Sequence, residues 1–254
     1  MKITITQEAE ASKPQVDALL QLQWRQPIIK KRWVILAILV LLLMYSWQQH
    51  LTSLWVILPL LWNLALLNMV LVARSRRKTL HKIEQAKLHS IFWLQLRQQY
   101  PELNLQQRKL IEQGFKDYLA LHAMQKQAYA MPSHAVDALW HVMLQYPKHY
   151  QQLCEQTIGR TLQHQPYDAN ITAADQNKQL FESWRISCQL HGFNPRNTSQ
   201  LPRLFAIDQA LNWQGGQDFE LQGMTQEFAK YLSSQSNSSS SCGSSCSSCG
   251  GGGD

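Results

Sequence analysis

Residues 131–167 read MPSHAVDALWHVMLQYPKHYQQLCEQTIGRTLQHQPY and predict two short helices joined by a turn. Pro132 and Ser133 begin the first helix, which runs from about His134 to Gln145, and Tyr146 with Pro147 forms the turn. The segment is also the part of the chain richest in chemically capable side chains, namely Asp137, Trp140, His141, His149, Cys154 and His164. It therefore indicates both the fold class and the candidate site.

Helical spacing of apolar residues continues over four further segments, 80–96, 110–124, 180–188 and 204–211. Asn104 with Gln107 has the form of a capping box, and Gly192 is typical of a helix C-cap. Residues 219–221 are the one candidate for extended backbone. We therefore predict a mostly α fold in which residues 80–232 form an all-helical cytoplasmic domain.

Two apolar runs, Trp33–Trp47 and Leu54–Ala73, precede this domain. The first is about 15 residues or roughly 22 Å long as a helix, so it spans a bilayer only with help from its flanks. The second is about 20 residues long and spans on its own. The short link QQHLTS joins them, so the sequence predicts a transmembrane helical hairpin in residues 30–74, with spans at about 33–50 and 54–73.

Basic residues flank both runs, while the link between them carries no formal charge. The positive-inside rule then predicts an inner-membrane protein with two spans and both termini cytoplasmic, including an N-terminal segment of residues 1–29. The same placement of charge explains the formal net charge of +7 without nucleic acid as a partner. The expected partners are the lipid bilayer and a second protein or second copy, because Asn63 and Asn68 need hydrogen-bond partners within the hairpin.

Residues 233–254 are rich in Ser, Gly and Cys and have almost no apolar side chain. Such a segment cannot bury enough surface to fold, so it is predicted to be a disordered tail. Its Cys242, Cys246 and Cys249 are best explained as part of the repetitive composition, although exposed thiolates bind soft metals weakly.

Asp137 and His141 are four residues apart and therefore adjacent on one helical face. A carboxylate in this position fixes the tautomer of the imidazole, as a metal site or a general base requires, and as a structural core histidine also allows. If the two helices form a hairpin, Cys154 lies within about one turn of His141. His164 joins them only if the chain bends at Gly159.

This possible set of Asp137, His141, Cys154 and His164 is one that zinc or ferrous iron accepts. The usual close-spaced signatures for these metals are absent from the domain, so the sequence leaves a structural cluster open as the alternative. A Cys154–His141 nucleophile pair is disfavoured, because neighbouring apolar residues predict that the thiol is buried.

The run VDALWH (Val136–His141), followed by Tyr150, Cys154, Gly159–Arg160 and His164 with Pro166, resembles the signature of the glycine-rich domain-containing protein-like family. The resemblance covers about residues 81–213, with LPRLFAIDQAL (Leu201–Leu211) as a weaker match. It implies a shared fold and no defined reaction. The Ser-rich tail of this chain departs from the pattern.

Two functions follow as hypotheses. The sequence favours a non-enzymatic interaction or scaffolding module in which Trp140, Tyr150, Gly159 and Arg160 form a structural cluster. The alternative is a membrane-tethered metal-binding protein or metal-dependent hydrolase that uses the four residues of the mixed ligand set.

Overall fold

The computed structural model describes residues 13–25, 30–48, 53–164 and 172–238, and it contains no strand in those ranges. The mostly α prediction is therefore confirmed for this part of the chain. The helices are α1 (13–21), α2 (Lys30–Gln48), α3 (Ser53–Gln85), α4 (Ser90–Gln99), α5 (Leu105–Met124), α6 (His134–Leu144), α7 (Pro147–Thr157), α8 (Ala173–His191), α9 (Arg203–Leu211) and α10 (Leu221–Ser238).

Helix α5 is the centre of the domain, and it packs against α3, α6, α8 and α9. Its second half is almost entirely buried, which agrees with the apolar spacing of residues 110–124. Gly114 allows the closest approach, because a Cβ atom there would overlap the side chains of Ile207 and Val136. The capping box of Asn104 and Gln107 is confirmed at the start of this helix.

Residues 22–25 contact the middle of α5, the end of α8 and the start of α9. The indole N–H of Trp24 donates to Asp117 Oδ1 at 2.7 Å, and the backbone N–H of Arg25 donates to the carbonyl of Leu190 at 2.7 Å. Arg203 donates to the carbonyl oxygen of Leu22. The N-terminal segment thus reaches a carboxylate that is only 1% exposed.

The predicted transmembrane hairpin of residues 30–74 is wrong. Helices α2 and α3 are present and pack against each other, but among the residues that the structure describes no helix is long and apolar enough to cross a membrane. Basic residues occupy the first turn of α2, and the apolar part of α3 includes Asn63 and Asn68 before it continues into the basic residues 74–78. The inner-membrane location with both termini cytoplasmic rests on these spans and is wrong with them.

Large apolar side chains of α2 and α3 are exposed, among them Leu41, Trp47, Leu61 and Trp62. Exposed apolar side chains on a pair of packed helices are a candidate interaction site. Contact with a second protein or a second copy through this helix pair stays a prediction.

The C-terminal helix is longer than the sequence predicts. Helix α10 continues to Ser238, so residues 233–238 of the predicted disordered tail are helical. Residues 239–254, which contain the three tail cysteines, lie outside the described residues. The candidate extended segment at 219–221 leads into α10 and forms no strand.

Candidate functional site

Helix α6 carries two of the candidate residues, and a buried carboxylate from α9 fixes its first turn. Asp208 Oδ1 accepts hydrogen bonds from Ser133 Oγ at 2.6 Å and from the backbone N–H of Ala135 at 3.1 Å. Asp208 Oδ2 accepts from the backbone N–H groups of His134 at 2.7 Å and Gln217 at 3.0 Å. Asp208 thus accepts from the first two N–H groups of α6, and the hydroxyl of Ser133 accepts from the third, that of Val136.

Asp137, His141 and His164 converge on one point. His141 Nε2 lies 3.2 Å from Asp137 Oδ2, and His164 Nε2 lies 3.3 Å from Asp137 Oδ1. One ligand-type atom from each of the three residues lies within 4.8 Å of the other two. The side chain of His141 is 56% exposed and that of His164 only 15%, so the cluster joins the surface to the interior.

The bend that brings His164 to the cluster occurs at Gly159. This glycine has φ +73°, a left-handed conformation that side chains disfavour, and it follows the end of α7 directly. The sequence left the bend open as an alternative. In the structure the chain turns back after Gly159, and residues 160–164 pass beside α6.

A short relay of hydrogen bonds holds this returning segment. Trp140 Nε1 donates to Tyr150 Oη at 2.9 Å, and Tyr150 Oη donates to the carbonyl of Leu162 at 2.9 Å. The Trp140 ring also packs edge-on against His164, with ring centroids 4.6 Å apart. Two residues of the predicted structural cluster, Trp140 and Tyr150, therefore position the third candidate ligand.

Cys154 is not part of the cluster. Its side chain is fully buried, and burial raises the pKa of its thiol, so the thiol is protonated at neutral pH. The ligand-type atoms that converge within 4.8 Å among the described residues are those of Asp137, His141 and His164, without the Cys154 sulfur. The structure thus brings together three of the four predicted ligands and leaves Cys154 in the core.

The remaining residues of interest lie elsewhere. Arg160 is exposed and donates to the carbonyl of His122 at 3.4 Å. His149 stacks on His89 with ring centroids 3.9 Å apart. Burial raises the pKa of Cys188 to about 12, which agrees with a core thiol.

A cavity of about 480 Å³ adjoins the cluster, with Asp137 and His164 in its wall. It also contains His122, a residue that the sequence did not single out. Both ring nitrogens of His122 are buried and have no hydrogen-bond partner among the described residues. Burial together with the nearby Arg160 lowers the pKa of the imidazole to about 4. In the sequence, the spacing of four residues between Tyr118 and His122 places both rings on one face of a helix, and this pattern could have drawn attention to His122.

The family model described as UCP032817-like matches residues 77–246. The chain belongs to this UCP032817-like family. The family is uncharacterised, so membership names no reaction. The predicted membership of the glycine-rich domain-containing protein-like family is wrong, because a short motif with scattered downstream matches does not outweigh a match over most of the chain. No curated protein and no solved structure matches the chain.

All three residues of the cluster lie within the part of the chain that matches the UCP032817-like family, as do Trp140, Tyr150 and Gly159. Helix α1 and the anchoring residue Trp24 lie outside it. The candidate site is thus built entirely from the family domain.

The relay at Tyr150 makes a testable prediction. Tyr150→Phe removes the acceptor of the Trp140 indole N–H and the donor to the Leu162 carbonyl, so we expect the free energy of unfolding to fall by about 2 kcal/mol. Urea denaturation of the full chain measures the loss. Tyr146→Phe is the matched control, because its hydroxyl makes one longer bond, 3.3 Å, to Gln95. Equal losses in the two variants contradict the relay.

Proposed function

We propose that this chain binds a divalent transition-metal ion through Asp137, His141 and His164. The observation that supports the proposal is the convergence of one carboxylate and two imidazoles within 4.8 Å. Tetrahedral coordination with bond lengths of about 2.0–2.1 Å separates neighbouring ligand atoms by roughly 3.3 Å. The two histidines approach different oxygens of Asp137, His141 at 3.2 Å from Oδ2 and His164 at 3.3 Å from Oδ1, so an ion between them would draw the three side chains closer together.

The chemistry of the ligand set favours zinc or ferrous iron over calcium or magnesium. Both accept imidazole nitrogen together with carboxylate oxygen, whereas calcium and magnesium prefer oxygen alone. Neutral His122 and the protonated thiol of Cys154 add no charge to the site. A zinc ion bound by these residues would have three protein ligands, the number found in catalytic rather than structural zinc sites.

An open coordination position beside a cavity suits Lewis-acid chemistry. A metal in such a position lowers the pKa of bound water to about 7 and polarises a carbonyl oxygen. If the chain has an enzymatic activity, this property favours that of a metal-dependent hydrolase. The residues themselves hold and orient the ion: Trp140 packs against His164, and the carboxylate of Asp137 contacts both imidazoles.

Metal analysis of the purified full chain tests the proposal. The chain carries no polyhistidine tag, and Cys242, Cys246 and Cys249 are replaced by serine, so that adventitious thiol binding is removed. After equilibration with zinc, or with ferrous iron under anaerobic conditions, we expect close to one ion per chain. His141→Ala is expected to weaken binding by at least about tenfold, which is about 1.4 kcal/mol or more.

The control variant is His81→Ala, which removes another exposed histidine that lies outside the cluster. It should bind the metal as the parent chain does. Circular dichroism checks that both variants keep their helices. A folded parent chain without metal, or equal binding by the two variants, overturns the proposal.

A further inference from the structure

One face of helix α3 carries an exposed stripe of leucines. The leucine stripe consists of Leu60, Leu64, Leu67 and Leu71, which are 59%, 62%, 44% and 52% exposed. Their successive spacings of four, three and four residues are those of the a and d positions of a heptad repeat. Side chains at such positions interlock when two helices pack along their length. The stripe therefore has the pattern of a helix–helix contact that the described residues leave uncovered.

The leucine stripe is distinct from the packed face of α3. In the same part of the helix, Val70 is only 1% exposed and Ala73 only 7%. With 3.6 residues in each turn, these two side chains lie about 120° around the helix axis from the centre of the stripe. Helix α3 contacts α2, α5 and α7. One side of α3 is thus used inside the chain, and the leucines lie on another.

The exposed apolar side chains of α2 and α3 are numerous enough for a stable contact between two copies. Among the described residues, sixteen large apolar residues of these two helices are at least 42% exposed. A side chain in this state presents roughly 60–80 Å², so together they expose about 1,000–1,300 Å². A specific interface buries at least about 600 Å² on each partner. A second copy therefore needs to cover only about half of this surface.

A second copy of the chain is the occupant that matches the leucine stripe. Because its a and d positions are all leucine, the stripe is complementary to itself, as the two-fold symmetric contact of a homodimer requires. Residues 53–73 contain no charged side chain. A charged partner would find no group there to pair with, so the chemistry of the stripe favours another apolar helix.

The basic residues that follow the stripe determine the orientation of the two helices. Arg76, Arg77 and Lys78 are exposed, and Lys78 lies one heptad after Leu71. In a parallel pair these charges of the two copies would lie side by side and repel each other. In an antiparallel pair they lie beside the uncharged start of the other copy's α3. The charge pattern therefore favours the antiparallel arrangement.

We propose that two copies of this chain dimerise through the leucine stripe of α3, with the two helices antiparallel. The two-fold axis passes between Leu64 and Leu67, so Leu64 of one copy contacts Leu67 of the other, and Leu60 contacts Leu71. The dimer does not depend on the proposed function, because the proposed metal ligands lie on α6 and after the end of α7.

Sedimentation equilibrium of the full chain, in the presence of a reductant, over about 1–100 µM tests the dimer. We expect a monomer–dimer equilibrium that Leu64→Lys weakens at least about tenfold, because the change places a charge in the apolar contact. Met69→Lys is the matched control. Met69 is 49% exposed but lies on nearly the opposite side of the helix from the stripe, so this variant should dimerise as the parent chain does. A monomeric parent chain, or equal weakening by the two variants, overturns the proposal.

Disulfide cross-linking tests the orientation. The chains used carry serine in place of Cys242, Cys246 and Cys249, and the two cysteines of the domain are buried. An oxidised mixture of Leu60→Cys and Leu71→Cys chains should cross-link, because these positions face each other. The Leu60→Cys chain alone should not, since about 16 Å along the axis separates its two thiols, beyond the reach of a disulfide. Cross-linking of the Leu60→Cys chain with itself, or none in the mixture, overturns the antiparallel pairing.

Discussion

Replacing Asp117 by alanine lowers the free energy of unfolding by about 3–5 kcal/mol. The carboxylate accepts a hydrogen bond from Trp24 at 2.7 Å, and it lies 3.1 Å from His191 Nε2 and 3.6 Å from Arg203 Nε. The side chain of Arg203 is only 2% exposed. Without Asp117 its guanidinium would be a buried charge with no counter-ion among the described residues. Urea denaturation of the full chain measures the resulting loss.

The charge of Asp117 also determines how stability depends on pH. Burial by itself raises the pKa of this carboxyl group, but the charges of Arg203 and His191 and the hydrogen bonds from His191 and Trp24 lower it below its ordinary value. Because the pKa is lower in the folded state, the group contributes its full stability above about pH 4, and this contribution is lost as the pH falls through the folded value.

Asp117→Asn is the control for the role of charge. The amide oxygen still accepts the hydrogen bond from Trp24, but the variant has no carboxylate to titrate. We expect it to lack the part of the acid-induced loss of stability that Asp117 causes. A variant that loses stability below pH 4 as steeply as the parent chain contradicts this account of the network.

We expect Asp208→Ala to lower the free energy of unfolding by about 3 kcal/mol. The change removes the acceptor of four hydrogen bonds and leaves the backbone N–H groups of His134, Ala135 and Gln217 without their partner. It also removes a negative charge from the N-terminus of α6, where the helix dipole favours it. Thermal and urea denaturation measure the effect.

Asp175→Ala is a matched control for this second change. Asp175 lies in the first turn of α8 and accepts a hydrogen bond from Thr172, but it is exposed to solvent. We therefore expect Asp175→Ala to lower the free energy of unfolding by less than about 1 kcal/mol. If both variants lose the same free energy of unfolding, the burial of the Asp208 hydrogen bonds contributes nothing to stability.

Local patterns predict the helices and their ends well. The capping box at Asn104, the left-handed C-cap at Gly192 and the adjacency of Asp137 and His141 all depend on residues at most four positions apart. Propensity and side-chain geometry act over the same distance, so the sequence carries this information directly. The two-helix segment around residues 134–157 follows for the same reason.

Local patterns do not predict contacts between residues that are far apart in the sequence. The partners of Asp208 lie 73–75 residues away at its α6 contacts, and Trp24 lies 93 residues from Asp117. His164 reaches the cluster only because Gly159 is left-handed and Tyr150 bonds to Leu162. Nothing in the spacing of His141, Cys154 and His164 shows that the imidazole of His164 joins the cluster and that the thiol of Cys154 does not.

Because Trp24 is anchored to Asp117, the residues that build the core of the domain extend beyond the residues that match the family. The match begins at residue 77, yet the central helix of the domain relies on a donor from residue 24. A shortened chain cut at the limits of the match would keep the proposed metal ligands and lose the indole that donates a hydrogen bond to Asp117. The shortest piece of this protein that preserves the native core therefore includes residues 22–25.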